Sequence, residues 1–342
     1  MNSTFVFSAH DRHGIRIISF TASWLSIISC LIAFYWLWRM RGKVFRHLLI
    51  FWLLFFDCWR AVILMWYPIR LWYTGEDSIG PHSCQADGFF AALSIEASDF
   101  AVLLIAIHTA LFIMYPQMTS PGLSAYRYGG LYRYRYYVYA VWAGFSILFA
   151  SLPFVNSVRY DEATEKQKLY NLGYVQISTM CYLPVRPIWY RLVLAWVPRY
   201  IVFMSICVIY VGIYIYVRKV LSKVDRAMTT VRRGRHDAAP GINDTDVLPI
   251  GDVVPHSFDG TIQDRQQRVM IERQVKYLFL YPIFYVVSWA LPFVETCMLF
   301  TSDFLNHPVV WLGYISAFSY AISGLMNTLI FAIRERPWRQ CR

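Results

Sequence analysis

Seven stretches of roughly 20 predominantly apolar residues, separated by polar segments, run through this 342-residue chain. A stretch of that length crosses the hydrocarbon core of a bilayer as a helix. In lipid the backbone must satisfy its own N–H and C=O groups, so a chain with seven of them packs as a helical bundle. The composition agrees: 57% hydrophobic and 18% aromatic residues with a mean hydropathy of +0.40 exclude a soluble globular chain. The reading is an all-α membrane protein, a single seven-helix domain over 1–342, with spans at about 17–38, 47–67, 86–115, 138–155, 189–217, 277–299 and 309–333. A short amphipathic helix follows at Arg334–Arg339, and the third cytosolic loop is expected to be disordered over 234–260.

The net charge of +11 belongs to this topology and not to a nucleic-acid partner. Basic clusters stand at Arg39/Arg41/Lys43/Arg46, Arg127/Arg133/Arg135, Arg218/Lys219/Lys223/Arg226 and Arg334/Arg336/Arg339, all on one side of seven spans. Acidic residues such as Glu76, Asp77, Asp161, Glu162 and Asp303 fall on the other. The positive-inside bias places the N-terminus outside and the C-terminus in the cytosol, and the expected location is the plasma membrane. The first fifteen residues lack the apolar core of a cleavable signal peptide, so the first span serves as the insertion signal. Asn2-Ser3-Thr4 is a glycosylation sequon on the outer side.

Cysteine positions add a constraint. Cys30, Cys58 and Cys207 lie within spans as small packing residues, whereas Cys84 and Cys181 lie at outer ends, where a disulfide is expected; Cys297 is the rival partner.

Charged residues inside the spans are the candidates for function, because each carries a desolvation cost that something must offset. Asp57 and Arg60 are one turn apart in span two, and Glu96 and Asp99 share a face of span three. Three carboxylates with Arg60 as the nearest cation leave an excess of negative charge, to be met by protonation, by Ser94, Ser98 or Ser323, or by a bound cation. Asp57, Arg60, Ser98, Pro282, Pro292 and Asn327 are assigned to a polar core and switch. Glu96, Asp99, Arg199, Trp289 and Glu295 are assigned to a ligand site, with Arg199 reaching the cavity or pairing with Glu295. Arg186 and Arg191 are read as anchors at the membrane interface.

Enzymatic readings find no support in the residue pattern. The histidines show no metal-ligand spacing, no phosphate-cradling glycine loop or nucleophile motif occurs, and the seventh span has no lysine to hold retinal. Neither a cofactor nor a metal is expected. The competing class is a seven-helix carrier or ion-translocating protein that uses Asp57, Glu96 and Asp99 as a relay.

The run Cys181-Tyr182-Leu183-Pro184-Val185-Arg186-Pro187-Ile188-Trp189-Tyr190-Arg191, and the sixth-span pattern Glu272-Arg273-Gln274 through Tyr281-Pro282, Trp289 and Pro292-Phe293, resemble the fungal glucose and nutrient-sensing G-protein-coupled receptors. That family is itself similar to the slime-mould cAMP receptors. The resemblance implies a receptor for an extracellular sugar or amino acid that activates a Gα subunit stimulating adenylate cyclase, cAMP formation and protein kinase A. Its partners would be a heterotrimeric G protein, a small polar ligand and the lipid bilayer. His108, Thr109, Arg133 and Lys276 are the expected G-protein contacts. The chain departs from the common animal signatures, with His108-Thr109-Ala110 where Asp-Arg-Tyr would stand and Asn327-Thr328 in place of Asn-Pro.

Overall fold

The computed structural model describes residues 7–41, 43–75, 80–114, 130–155, 157–161, 166–170, 173–184, 188–237, 280–301 and 308–340. Four helices come first: α1 (Ala9–Arg39), α2 (Phe45–Thr74), α3 (Pro81–Met114) and α4 (Arg135–Ser151), the last preceded by a 3₁₀ turn at Gly130–Tyr134. Two short hairpins follow, β1 (Ser157–Asp161) with β2 (Lys166–Tyr170) and β3 (Val175–Gln176) with β4 (Cys181–Tyr182). The fifth rod begins as Ile188–Arg191, passes through a π-helical turn at Leu192–Trp196 and continues as Val197–Asp237; together these form α5. α6 (Leu280–Leu299), α7 (Val310–Glu335) and a four-residue α8 (Pro337–Gln340) complete the chain.

Six of these rods are long and apolar enough to cross a membrane, and α6 contributes a shorter apolar helix at Ile283–Leu299. Their residue distribution is that of a protein solvated by lipid. On α1 the buried face is Ser19, Ala22, Ser23, Ser26, Cys30 and Ala33, while Trp24, Leu25, Ile28, Leu31, Ile32 and Tyr35 are exposed. Small residues inside let backbones approach closely where burial from water supplies no drive. α1 packs on α2 and α7, α2 on α3 and α7, and α3 on α4. The closest approach falls at Gly324 of α7, where a Cβ would run into the side chains of Ser26 and Cys30 on α1.

Residues 208–280 form a unit of their own, whose described part is the continuation of α5 to Asp237 together with Leu280. The helix takes in Gly234–Asp237, so the stretch expected to be disordered is helical in its first four residues. Residues 238–260 of that stretch lie outside the described residues, as do Asn2, Arg186 and Lys276.

At one end of the bundle a lid is tied down from several directions. Cys84 on α3 and Cys181 on β4 form a disulfide, with Cα atoms 5.4 Å apart. The Gln85 carboxamide pairs twice with the Tyr174 backbone, donating to its carbonyl at 2.9 Å and accepting from its N–H at 2.8 Å. Tyr174 donates its hydroxyl to Ala150 O at 2.6 Å, and burial pushes that phenol's pKa up, so it remains a donor at neutral pH. Tyr67 donates to Ile177 O at 3.2 Å and Arg16 Nε to Ser178 O at 3.1 Å, which fixes the β3–β4 hairpin to α2 and α1.

The opposite end is closed by charge. Glu335, the last residue of α7, receives Arg46 at 2.7 Å and faces His47 Nε2 at 3.3 Å, both at the start of α2. His47 Nδ1 accepts from Val44 N at 3.2 Å, which leaves Nε2 as the donor toward the carboxylate.

Candidate functional site

Two polar clusters occupy the bundle between these ends. The first is centred on Asp57 of α2, which is 1% exposed. Its Oδ1 receives Arg60 at 2.6 Å and Ser98 Oγ at 3.0 Å, and its Oδ2 receives Asn327 Nδ2 at 2.6 Å. Arg60 also donates to Ser323 of α7. A carboxylate in a medium this dry is stabilised only by such donors, and here they come from α2, α3 and α7 together. Ser94, a further candidate for that role, turns back to its own helix and donates to Ala91 O at 2.7 Å.

The second cluster is centred on Arg199 of α5. Its Nε donates to Asp99 Oδ2 at 2.8 Å, its Nη2 lies 3.6 Å from Glu96 Oε1, and all three side chains are at most 5% exposed. The guanidinium plane covers Trp289 of α6, with Cζ 3.7 Å from the ring centroid. Trp289 in turn meets Tyr320 edge-on at 5.1 Å and Trp196 at 6.2 Å. Glu96, Asp99, Arg199 and Trp289 are therefore brought together as one unit. Arg199 takes Asp99, where pairing with Glu295 was an alternative, and so supplies the cation that Glu96 and Asp99 lacked when Arg60 alone was counted. Each cluster has its own ion pair, Arg60 on Asp57 and Arg199 on Asp99, and both line one small cavity through Asp57, Arg60 and Asp99.

A cavity accompanies each cluster. One of about 40 Å³ is lined by Asp57, Arg60, Ser98, Asp99, Trp289 and Asn327 among others. That volume admits a few waters. The other, about 100 Å³, lies under the lid and is lined by Ser178, Tyr182, Arg191, Arg199, Glu295 and Tyr320, with apolar wall from Phe7, Ile15 and Leu299. Pro292 lines it as well, and Thr296 bonds back to Pro292 O at 2.9 Å. Arg191 is a correction to the sequence reading: it is 5% exposed and faces this cavity, so it is not an interface anchor. The π turn beginning at Leu192 is the physical reason, because it changes the direction in which the outer residues of α5 point. Tyr285 and Tyr320 were also missed, since an aromatic inside a span carries no pattern that separates cavity lining from packing, and Tyr182 of β4 was missed because nothing in the sequence folds its hairpin over the cavity.

The residues expected to meet a G protein fare unequally. His108 is buried, accepts from Leu131 N at 3.3 Å through Nδ1, and meets Phe45 edge-on. Gly130 beside it adopts φ +65°, and any Cβ there would strike the His108 ring. Thr109 is buried and bonds back to Ile105 O at 2.7 Å. Both are thus engaged within the chain, whereas Arg133 is exposed. Pro282 lies in the first turn of α6.

Seven rods, a disulfide from the head of α3 to the hairpin before α5, and buried polar clusters between α2, α3, α5, α6 and α7 describe the seven-helix fold of the G-protein-coupled receptors. The fold matches the crystal structure of squid rhodopsin at a TM-score of 0.63, covering 100% of this chain and 89% of that one at 12% identity, a likeness of fold alone. The chain belongs to the family described as G protein-coupled glucose receptors regulating Gpa2, which matches residues 12–224, and the C-terminal part of the same family matches residues 265–340. It is similar to the G protein-coupled receptor GPR1 of Saccharomyces cerevisiae, 34% identical over 63% of this chain and 24% of that protein. It is also similar to the glucose receptor protein git3 of Schizosaccharomyces pombe, 24% identical over 65% of this chain and 43% of that protein. The chain spans less than half the length of either relative.

Proposed function

We propose that this protein is a plasma-membrane receptor, not an enzyme, that senses an extracellular nutrient and activates a Gα subunit stimulating adenylate cyclase, cAMP formation and protein kinase A. The lid end faces outward in this reading and the Arg46–Glu335 end faces the cytosol. Family membership supports it, as do the two relatives, one a G protein-coupled receptor and the other a glucose receptor.

The observation that carries the reading is the position of Arg199, which lines the cavity under the lid while bonding Asp99 and stacking on Trp289. A ligand entering that cavity meets the guanidinium, and any displacement of it is felt by α3 through Asp99 and by α6 through Trp289. A ligand shifts such an equilibrium only by its differential affinity for the two arrangements. Glu96, Asp99, Arg199, Trp289 and Glu295 form the ligand-responsive set. Asp57, Arg60, Ser98 and Asn327 form the polar core, with Pro292 and Pro282 the points about which α6 moves. Arg133, which is exposed, and Lys276 are the contacts for Gα, and His108 and Thr109 support the turn before α4.

The test is guanine-nucleotide exchange on fungal Gα subunits with the purified protein in lipid nanodiscs, across a panel of sugars and amino acids. Acceleration above the protein-free rate is expected, with ligand dependence that weakens in Glu96→Gln. Exchange at the protein-free rate with every Gα, in folded protein, would leave the receptor reading without support.

A further inference from the structure

The end of the bundle closed by Arg46 and Glu335 carries a surplus of positive charge with little of the opposite sign near it. No Asp or Glu occurs between Asp11 and Asp57, or between Asp99 and Asp161. Among the described residues at this end of α1, α2, α4 and α7, Glu335 is the one acid, and it is buried and taken. Arg46 reaches it at 2.7 Å, His47 at 3.3 Å and Arg334 at 3.7 Å. Arg39, Arg41 and Lys43, at the end of α1 and in the link to α2, stay exposed, as does Arg339 of α8.

These cations come from two segments that the fold joins. Trp36 of α1 meets Trp338 of α8 edge-on at 6.1 Å, which sets the chain neighbour of Trp338, Arg339, beside the end of α1. Arg336 makes this junction: at φ 46° it caps α7 in the left-handed conformation, and its carbonyl accepts the Arg339 N–H at 2.9 Å. Trp38 and Trp338 are 76% and 50% exposed, and tryptophan at the end of a span marks the level of the lipid headgroups.

Exposed cations at headgroup level, with two tryptophans among them, fit a lipid. A headgroup with a single net charge meets one segment or the other, whereas one that carries several phosphates can be held by both. The planar fork of arginine suits phosphate, since it binds two oxygens at once. We propose that the end of α1, the link to α2 and α8 form a binding site for a multiply phosphorylated inositol phospholipid of the cytosolic leaflet, held by Arg39, Arg41, Lys43 and Arg339. It rests on the orientation in the receptor reading, with this end in the cytosol, and not on coupling to Gα.

The test uses the full chain in nanodiscs of phosphatidylcholine alone, with phosphatidylserine, and with phosphatidylinositol bisphosphate, the last two at matched negative charge. Retained lipid is read by native mass spectrometry and the unfolding midpoint by thermal shift. The bisphosphate is expected to be retained and to raise the midpoint above that in either other membrane. Each basic residue beside a charged leaflet is worth about a fivefold change in binding, so Arg39→Gln, Arg41→Gln, Lys43→Gln and Arg339→Gln together should weaken retention by about a hundredfold or more. Arg39→Lys, Arg41→Lys and Arg339→Lys together should keep most of it, and added salt should weaken it in the parent.

Equal midpoints in the three membranes overturn the proposal. So does a phosphatidylserine effect as large as that of the bisphosphate, which is diffuse attraction without a site. Soluble inositol trisphosphate binding as tightly as the lipid would make a free phosphate the ligand and overturns it too. If the four-Gln variant fails to fold, the lipid series and its salt dependence in the unaltered protein decide. Nucleotide exchange on the same samples keeps the two readings apart. Lipid retention without exchange keeps the site and removes support from the receptor reading. Exchange that the four Gln substitutions abolish in phosphatidylcholine alone, with no lipid preference in the parent, assigns the patch to Gα instead.

Discussion

Arg199 bonds Asp99, lies against Glu96 and covers the face of Trp289, so its removal leaves two buried carboxylates with no cation beside them. Breaking a buried ion pair from one side costs about 3–5 kcal/mol, most of it the isolation of the remaining charge. Arg199→Ala is therefore expected to lower the thermal midpoint in nanodiscs markedly, and Asp99→Asn in the same chain should restore part of the loss. If the double variant melts where the single one does, the two residues are not coupled. Asp57 shows what depth in the membrane can find from sequence: Ser98 and Arg60 were both candidates, and both are bonded to it. The Arg199–Asp99 pair is a hundred residues apart, and depth alone could not choose between Asp99 and Glu295, since the choice depends on how each helix is rotated.

Among the helices, hydropathy locates all seven rods but not their ends, because apolar length marks what lipid requires and helices continue past it. α1 starts at Ala9 and α2 runs on to Thr74, beyond the apolar windows, with Ser8 capping the former through the Asp11 N–H. The serines, alanines and glycines of α1 and α7 mark a close interface for the same reason that they look unremarkable in a hydropathy plot: they are small. Gly324→Leu puts a bulky side chain where Ser26 and Cys30 already stand. Overpacking costs of about 1–3 kcal/mol are usual, and this site is tighter than most because both neighbours belong to a facing helix. The variant should unfold at lower temperature in nanodiscs, while Gly144→Leu, at a position with open space around it, should melt as the parent does.

For the molecule as a whole, the lid is held by a disulfide closing 97 residues of sequence and by hydrogen bonds to α1, α2, α3 and α4. A link over that span restricts the unfolded chain and contributes about 4–5 kcal/mol on loop-closure grounds. Cys84→Ser with Cys181→Ser should lower the unfolding midpoint accordingly. The remaining bonds should still seat the lid, so that hydrogen exchange at Tyr174 N–H stays slow relative to an unprotected amide. The π turn of α5 has a further consequence that is best put in terms of angular phase. Eight residues separate Arg191 from Arg199. An uninterrupted α-helix advances about 100° per residue and would set them about 80° apart around the axis. One additional residue taken into the turn sets the phase back by about that same 100° and returns both guanidinium groups to nearly one face. Deleting Leu194 should restore the ordinary pitch, swing Arg191 away from the cavity and abolish ligand binding in a protein whose helices are otherwise intact. A receptor of this design keeps its two arginines in step by a miscount of one residue, and its specificity is in that sense stored as a rotation.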